Sequence, residues 1–290
     1  MLILIMNKNS LLIILGFTLF FYLQCNKDKY KATIPAYLYI DQVKFTTDYY
    51  QQGSASHKIT DVWIYIDDDL KGAFELPAKI PILQFGQHKL TIKAGIKVNG
   101  IANTRTAYPF YKEYTIYHTF IQNQTDTIIP EFTYADGTLF PYKEDFEASG
   151  LNFFYNSQSQ VQFELISSGQ QYEGNFSAQA HLSPNQTFFE AYTTDIYNLP
   201  KNQRPVFLEL NYKCSATLVV GLLYDDPVPT TQRSLIYLNP TDQWNKIYIN
   251  LTEALTYQQS ASKHMISFGF INENAQDLYI AIDNIKVVTR

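Results

Sequence analysis

From residue 37 onward the chain sustains no helical hydrophobic period for more than about two turns, while short runs of alternating apolar and polar residues recur throughout. Residues patterned this way bury one face only as strands paired in a sheet. Asp61 to Asp67 sets Val62, Ile64 and Ile66 against Trp63 and Tyr65, and His88 to Lys93 sets Leu90 and Ile92 against Lys89, Thr91 and Lys93. Tyr114 to Phe120 is β-branched and aromatic in the same way. Further strands are expected over 161–166, 207–224, 234–238, 246–251, 266–271 and 278–288. The best helical window is Thr252 to Tyr257, with Thr252 as its N-cap. Aromatics form 16% of the 290 residues and charged residues 17%, too much apolar surface for a disordered chain. The expectation is an all-β protein.

The N-terminus carries a targeting signal. Residues 11–23 (LLIILGFTLFFYL) are apolar but shorter than the roughly 20 residues of a bilayer span, matching the h-region of a secretory signal. Lys8 supplies the positive charge before it if Met6 rather than Met1 is the initiator. Cys25 follows the apolar run directly and precedes Asn26-Lys27-Asp28-Lys29, which resembles a bacterial lipoprotein signal in which the cysteine becomes the lipidated first residue. A plain cleaved signal and an uncleaved anchor are the other readings, and all three export the chain. Residues 1–24 are thus read as signal peptide and 25–36 as a polar tether.

Two β-units follow. Residues 37–129 read as a small β-sandwich, residues 130–143 as a linker marked by Pro130, Asp136-Gly137 and Pro141, and residues 144–290 as a larger sandwich. Within the first, Ile66-Asp67, Gly72, Pro77 and Gly86-Gln87-His88 resemble the PEGA type of surface β-domain over about 61–100, which implies a spacer or adhesive module without chemistry. In the second, Asp145-Phe146-Glu147, Gly174 to Ala178, Phe207 to Tyr212, Trp244 to Leu251 and Ile282 to Val287 occur in an order that resembles galactose-binding-like jelly rolls similar to carbohydrate-binding modules. Together these resemble a Bacteroidetes-type surface lipoprotein.

Charge and motifs exclude several classes. With 22 Lys+Arg against 27 Asp+Glu and no basic run, the chain lacks the footprint of a nucleic-acid binder. Cys25 and Cys214 make no disulfide framework or zinc set, and Cys214 shares strand parity with Leu208, Leu210 and Tyr212, the pattern of an inert core thiol. His57, His88, His118, His181 and His264 form no metal-ligand spacing, and no nucleophile elbow or phosphate loop occurs. The acid pairs Asp67-Asp68-Asp69 and Asp225-Asp226 adjoin turn residues and read as solvated loops. The four Asn-x-Ser/Thr matches are those expected by chance in an Asn-rich chain.

Ligand candidates are therefore aromatic. Sugar rings pack their CH faces on Trp and Tyr. Trp63 and Tyr65, opposite the core set of their strand, form such a platform unless they pack against the second unit or the other sheet. Trp244 reads as core. The resemblance to jelly rolls implies a structural calcium joining Glu147 to Asp283; the alternative is that Asp283 caps a turn or accepts backbone N–H bonds. The shift of apolar phase from Leu278, Ile280 and Ile282 to Ile285 and Val287 predicts a bulge beside Asp283. The reading is a non-enzymatic, membrane-anchored lipoprotein of the bacterial outer membrane that binds glycan. The alternatives are a structural or assembly subunit contacting a cell-envelope protein and, third, a glycoside hydrolase.

Overall fold

The computed structural model describes residues 33–148, 150–225, 231–258 and 260–290. The signal segment, Cys25, the start of the tether and Asp226 lie outside the described residues. Among the described residues all regular structure is β except two single-turn helices, Tyr49–Gln52 and Thr252–Thr256.

In the N-terminal lobe, Val62, Ile64 and Ile66 are buried while Trp63 and Tyr65 between them stay partly exposed, as a half-buried strand requires. Strand Asp61–Ile66 pairs antiparallel with Asp69–Glu75 on one side and Gly86–Lys97 on the other. Arg105–Ala107 and Tyr114–Phe120 pair along the far edge of Gly86–Lys97, completing five strands. A second sheet, ordered Ala78–Ile82, Ala36–Ile40, Thr125–Thr127, packs Leu38, Ile40 and Ile80 into the same core.

The C-terminal lobe is a jelly-roll sandwich of two six-stranded sheets. One sheet is ordered Glu164–Ile166, Ser177–Leu182, Leu278–Thr289, Val206–Cys214, Thr241–Asn250, with Leu139–Glu144 also on Leu278–Thr289. The other is ordered Phe153–Tyr155, Phe188–Thr193, Lys263–Ile271, Leu218–Tyr224, Thr231–Leu238, with Ile196–Tyr197 also on Lys263–Ile271. Phe189, Phe268, Phe270, Leu208, Leu210 and Ile282 are among the side chains that fill the space between.

Several sequence expectations are refined. The continuous apolar run 207–224 is two strands, because Ser215 to Thr217 carry the chain from one sheet to the other. The expected linker 130–143 is partly paired: Glu131–Phe132 lies parallel to Lys44–Phe45, and Leu139–Glu144 is a strand of the sandwich. Thr252 is the first residue of its helix rather than the cap, and its hydroxyl accepts from Val206 N at 3.1 Å. The bulge in the closing strand is present: Asn211 pairs with Asp283 but Glu209 with Lys286, and Asn284 turns through φ 49° between them.

The lobes meet on the first sandwich sheet. Phe207, Tyr248 and Val288 point away from the sandwich interior and join the N-terminal core, against Tyr108, Phe110 and Tyr111. Buried among them, Glu209 accepts from Tyr108 OH at 2.9 Å and Tyr134 OH at 3.0 Å, and lies 3.2 Å from Lys246 Nζ. Lys286 Nζ donates to Ser54 O at 2.5 Å, and Ser56 Oγ donates to Asn211 Oδ1 at 2.9 Å. The outer face of this sheet is therefore covered around Glu209, Tyr248 and Lys286, while His181 further along it stays exposed.

Candidate functional site

The expected platform lies on the outer face of the five-stranded sheet. Trp63 Nε1 donates to Asp61 Oδ2 at 3.2 Å, and Asp61 is itself buried beside Arg105. Lys93 Nζ sits 5.0 Å from the centre of the Tyr65 ring, a cation–π contact that occupies one face of it. Both aromatics are thus held in place by neighbouring charged side chains. Trp244, expected in the core, is instead half-buried: its N–H donates to Gln170 O at 3.1 Å and its ring meets Tyr172 edge-on at 5.7 Å.

The pair assigned to calcium flanks one turn. Glu147 accepts from Asn175 N at 2.7 Å, Asn175 Nδ2 at 2.7 Å and Phe176 N at 3.0 Å. Asp283 is buried and accepts from Ser177 Oγ at 2.6 Å and Asn284 N at 2.7 Å. Burial pushes the Asp283 carboxyl up to about 7. A calcium ion joining the two would have to displace these bonds, and among the described residues no cluster of three or more His, Cys, Asp or Glu forms a metal site. Cys214 is fully buried, and burial pushes its thiol up to about 11, so it is inert. Asp225 accepts from Ser262 N at 2.9 Å and Oγ at 2.8 Å and is held down to about 2, the signature of a loop-forming carboxylate.

The richest polar arrangement on an open surface was not marked in the sequence reading. On the outer face of the second sandwich sheet, Glu190 and Tyr192 alternate with the buried Phe189, Ala191 and Thr193. Asn156 Nδ2 donates to Glu190 Oε2 at 2.8 Å and to Tyr192 OH at 3.0 Å, and Tyr192 OH donates to Glu190 Oε2 at 2.5 Å. Gln232 Nε2 donates to the other Glu190 oxygen from across the sheet. Glu190 and Gln232 stand on the first and last of four adjacent strands. The row opposite Glu190 runs through Gly269 and Val219 to Tyr237, so Gln232, further along the last strand, reaches Glu190 diagonally across this face. Gly221, Gly269 and Ser267 form its floor, where a Cβ on Gly221 would stand 2.4 Å from Ser267 Oγ. Phe154, Tyr237 and Ile271 rise around it, exposed by 59%, 65% and 56%.

This surface presents a carboxylate, two amides and a phenol at one point of a face with exposed rings at its margins. Burial and the bond to Glu190 raise the Tyr192 phenol, so it stays protonated and able to donate. Its signal in the sequence is weak: Glu190 and Tyr192 share one phase of Phe188 to Thr193, but so does Phe188, and Thr193 lies on the buried phase.

No protein-family model and no curated protein matches the chain. Among solved structures, it is similar to the CBM22-1 xylan-binding domain from Paenibacillus barcinonensis Xyn10C, with 13% identity, a TM-score of 0.40, and coverage of 54% of this chain and 98% of that one. It is also similar to the tandem CBM22-1–CBM22-2 domain from the same source, at 12% identity, TM-score 0.38, and 80% and 74% coverage. A third is a structure described as showing the promiscuous specificity of carbohydrate-binding modules from the β-sandwich superfamily, at 12% identity, TM-score 0.38, and 88% and 98% coverage. These are likenesses of architecture, and the β-sandwich itself rests on the strand pairing described above.

Proposed function

We propose that the protein is a non-catalytic glycan-binding module whose ligand lies on the outer face of the second sheet of the C-terminal sandwich. The observation that carries this reading is the Glu190–Asn156–Tyr192–Gln232 cluster, set on a face bordered by Phe154 and Tyr237. Sugar recognition needs apolar surface for CH faces and bidentate acceptors and donors for vicinal hydroxyls, and this face supplies both. Glycoside cleavage needs two carboxyls across the scissile bond. The partners of Glu190 are amides and a phenol, an arrangement that favours binding over hydrolysis. The proposal includes export and anchoring through lipidated Cys25 in a bacterial envelope, for which the support is the N-terminal signal alone.

The test is affinity electrophoresis through gels containing xylan, β-1,4-galactan, mixed-linkage β-glucan or mannan. Retention by at least one polysaccharide, lost in Glu190→Ala and kept in Trp63→Ala, is the expected result. Loss in Trp63→Ala alone would move the site to the N-terminal platform, and no retention in any gel would remove the glycan reading.

A further inference from the structure

A concavity lies where the lobes meet, enclosing about 180 Å³ between Lys58, Lys97 and Asn99 of the N-terminal lobe and Tyr237, Asn245 and Lys246 of the sandwich. Three lysines and no Asp or Glu line it, in a chain whose net charge is −5. Two of the lysines have acids behind them: Lys97 lies 3.4 Å from the exposed Glu75, and Lys246 lies 3.2 Å from Glu209. Lys58 has none. Its Nζ donates to Asn245 Oδ1, whose amide nitrogen in turn donates to Tyr212 OH at 3.0 Å, and among the described residues no carboxylate lies within ion-pair distance of it. Lys246 Nζ is buried and makes no hydrogen bond despite its ion pair.

An ammonium held by a neutral amide beside two further cations is poised for an oxyanion, because a carboxylate would supply the opposite charge that Asn245 does not. Burial and the Lys97 charge also lower the Lys58 ammonium below its ordinary range, the mark of a cation lacking its counter-charge. Tyr237 ties this cleft to the open face: it lines the cleft, and on its edge strand it pairs with Val219, beside Gly269 of that face.

We propose that the lobe junction is an oxyanion subsite for a carboxylate carried by a glycan on the open face, making the ligand an acidic, uronate-bearing chain. This rests on the glycan-binding reading above. The test is calorimetric titration of the full chain with tri-galacturonate and with the neutral trisaccharide made by reducing its carboxyls. The expected result is about tenfold tighter binding of the acidic form, the size of one charge-assisted hydrogen bond. Lys58→Met should abolish that advantage while the affinity for the neutral form and the thermal midpoint stay unchanged, and Lys58→Arg should keep it. Equal or weaker binding of the acidic form in the wild type would overturn the anion subsite and leave the open-face reading intact. An advantage that persists in Lys58→Met would place the carboxylate elsewhere and also overturn it. Failure of both trisaccharides to bind would overturn the uronate subsite, while the open-face reading stands or falls by the polysaccharide gels.

Discussion

Two buried carboxylates have different partners. Asp283 is held by the Ser177 hydroxyl and the backbone N–H groups of Asn284 and Glu173, too little to offset its burial, which raises its carboxyl to about 7 in the folded chain against 3.8 when unfolded. Between those values the folded state binds the extra proton, so the stability Asp283 contributes is full below about pH 4 and lost as pH rises through 7. Urea midpoints at pH 5 and pH 8 should therefore show wild type losing stability relative to Asp283→Asn; a gap independent of pH would contradict the assignment. Glu209, by contrast, has Lys246 and two phenols around it. Truncation to Glu209→Ala leaves a buried ammonium without its partner and should cost about 3–5 kcal/mol. The exposed Glu75, facing Lys97 and Arg105, should cost less than about 1 kcal/mol on the same change, both read by chemical denaturation.

Among the elements, the hairpin between Asp61–Ile66 and Asp69–Glu75 turns on Asp67 and Asp68, at φ 51° and 68°. Two successive left-handed residues make a type I′ turn, for which glycine is favoured at the second position. Asp67 is retained by its bonds to His88 Nδ1 at 2.5 Å and Lys89 N at 3.0 Å, whereas Asp68 makes only an exposed ion pair with Lys89. Asp68→Gly should stabilise the protein by up to about 1 kcal/mol in denaturant midpoint, and a loss would show that the ion pair outweighs the strain. That turn was legible because three acids interrupt two clean alternations. Strands Ser177–Leu182 and Phe188–Thr193 were not marked: alanines and polar residues share their phases, so hydrophobicity alone gives a weak period. The second of them carries Glu190 and Tyr192, which is why the candidate site escaped a reading that looked for tryptophan first. The bulge at Asp283 was legible, because a register slip flips every following side chain and leaves a visible change of apolar phase.

At the scale of the molecule, the all-β class was readable from turn residues and alternation, but the packing between lobes was not. Nothing local distinguishes Phe207, Tyr248 and Val288, which face the N-terminal lobe, from neighbours that face the sandwich interior; the strands carrying them read as continuous apolar runs because both faces are covered. That docking removes part of one sandwich face from solvent, around Glu209, Tyr248 and Lys286. Anchoring belongs to this scale as well: Cys25→Ser should release the protein from membranes and abolish labelling by a fatty-acid analogue, and unchanged labelling would remove the lipoprotein reading. The central claim, that the open face binds glycan through Glu190 and its partners, is tested most directly by comparing retention of wild type, Glu190→Ala and Tyr192→Phe across the polysaccharide gels, with thermal midpoints measured alongside. The account predicts that both variants migrate freely through the gel that retards wild type while their midpoints stay near it, since both side chains are only partly buried; retention equal to wild type in both variants would contradict it.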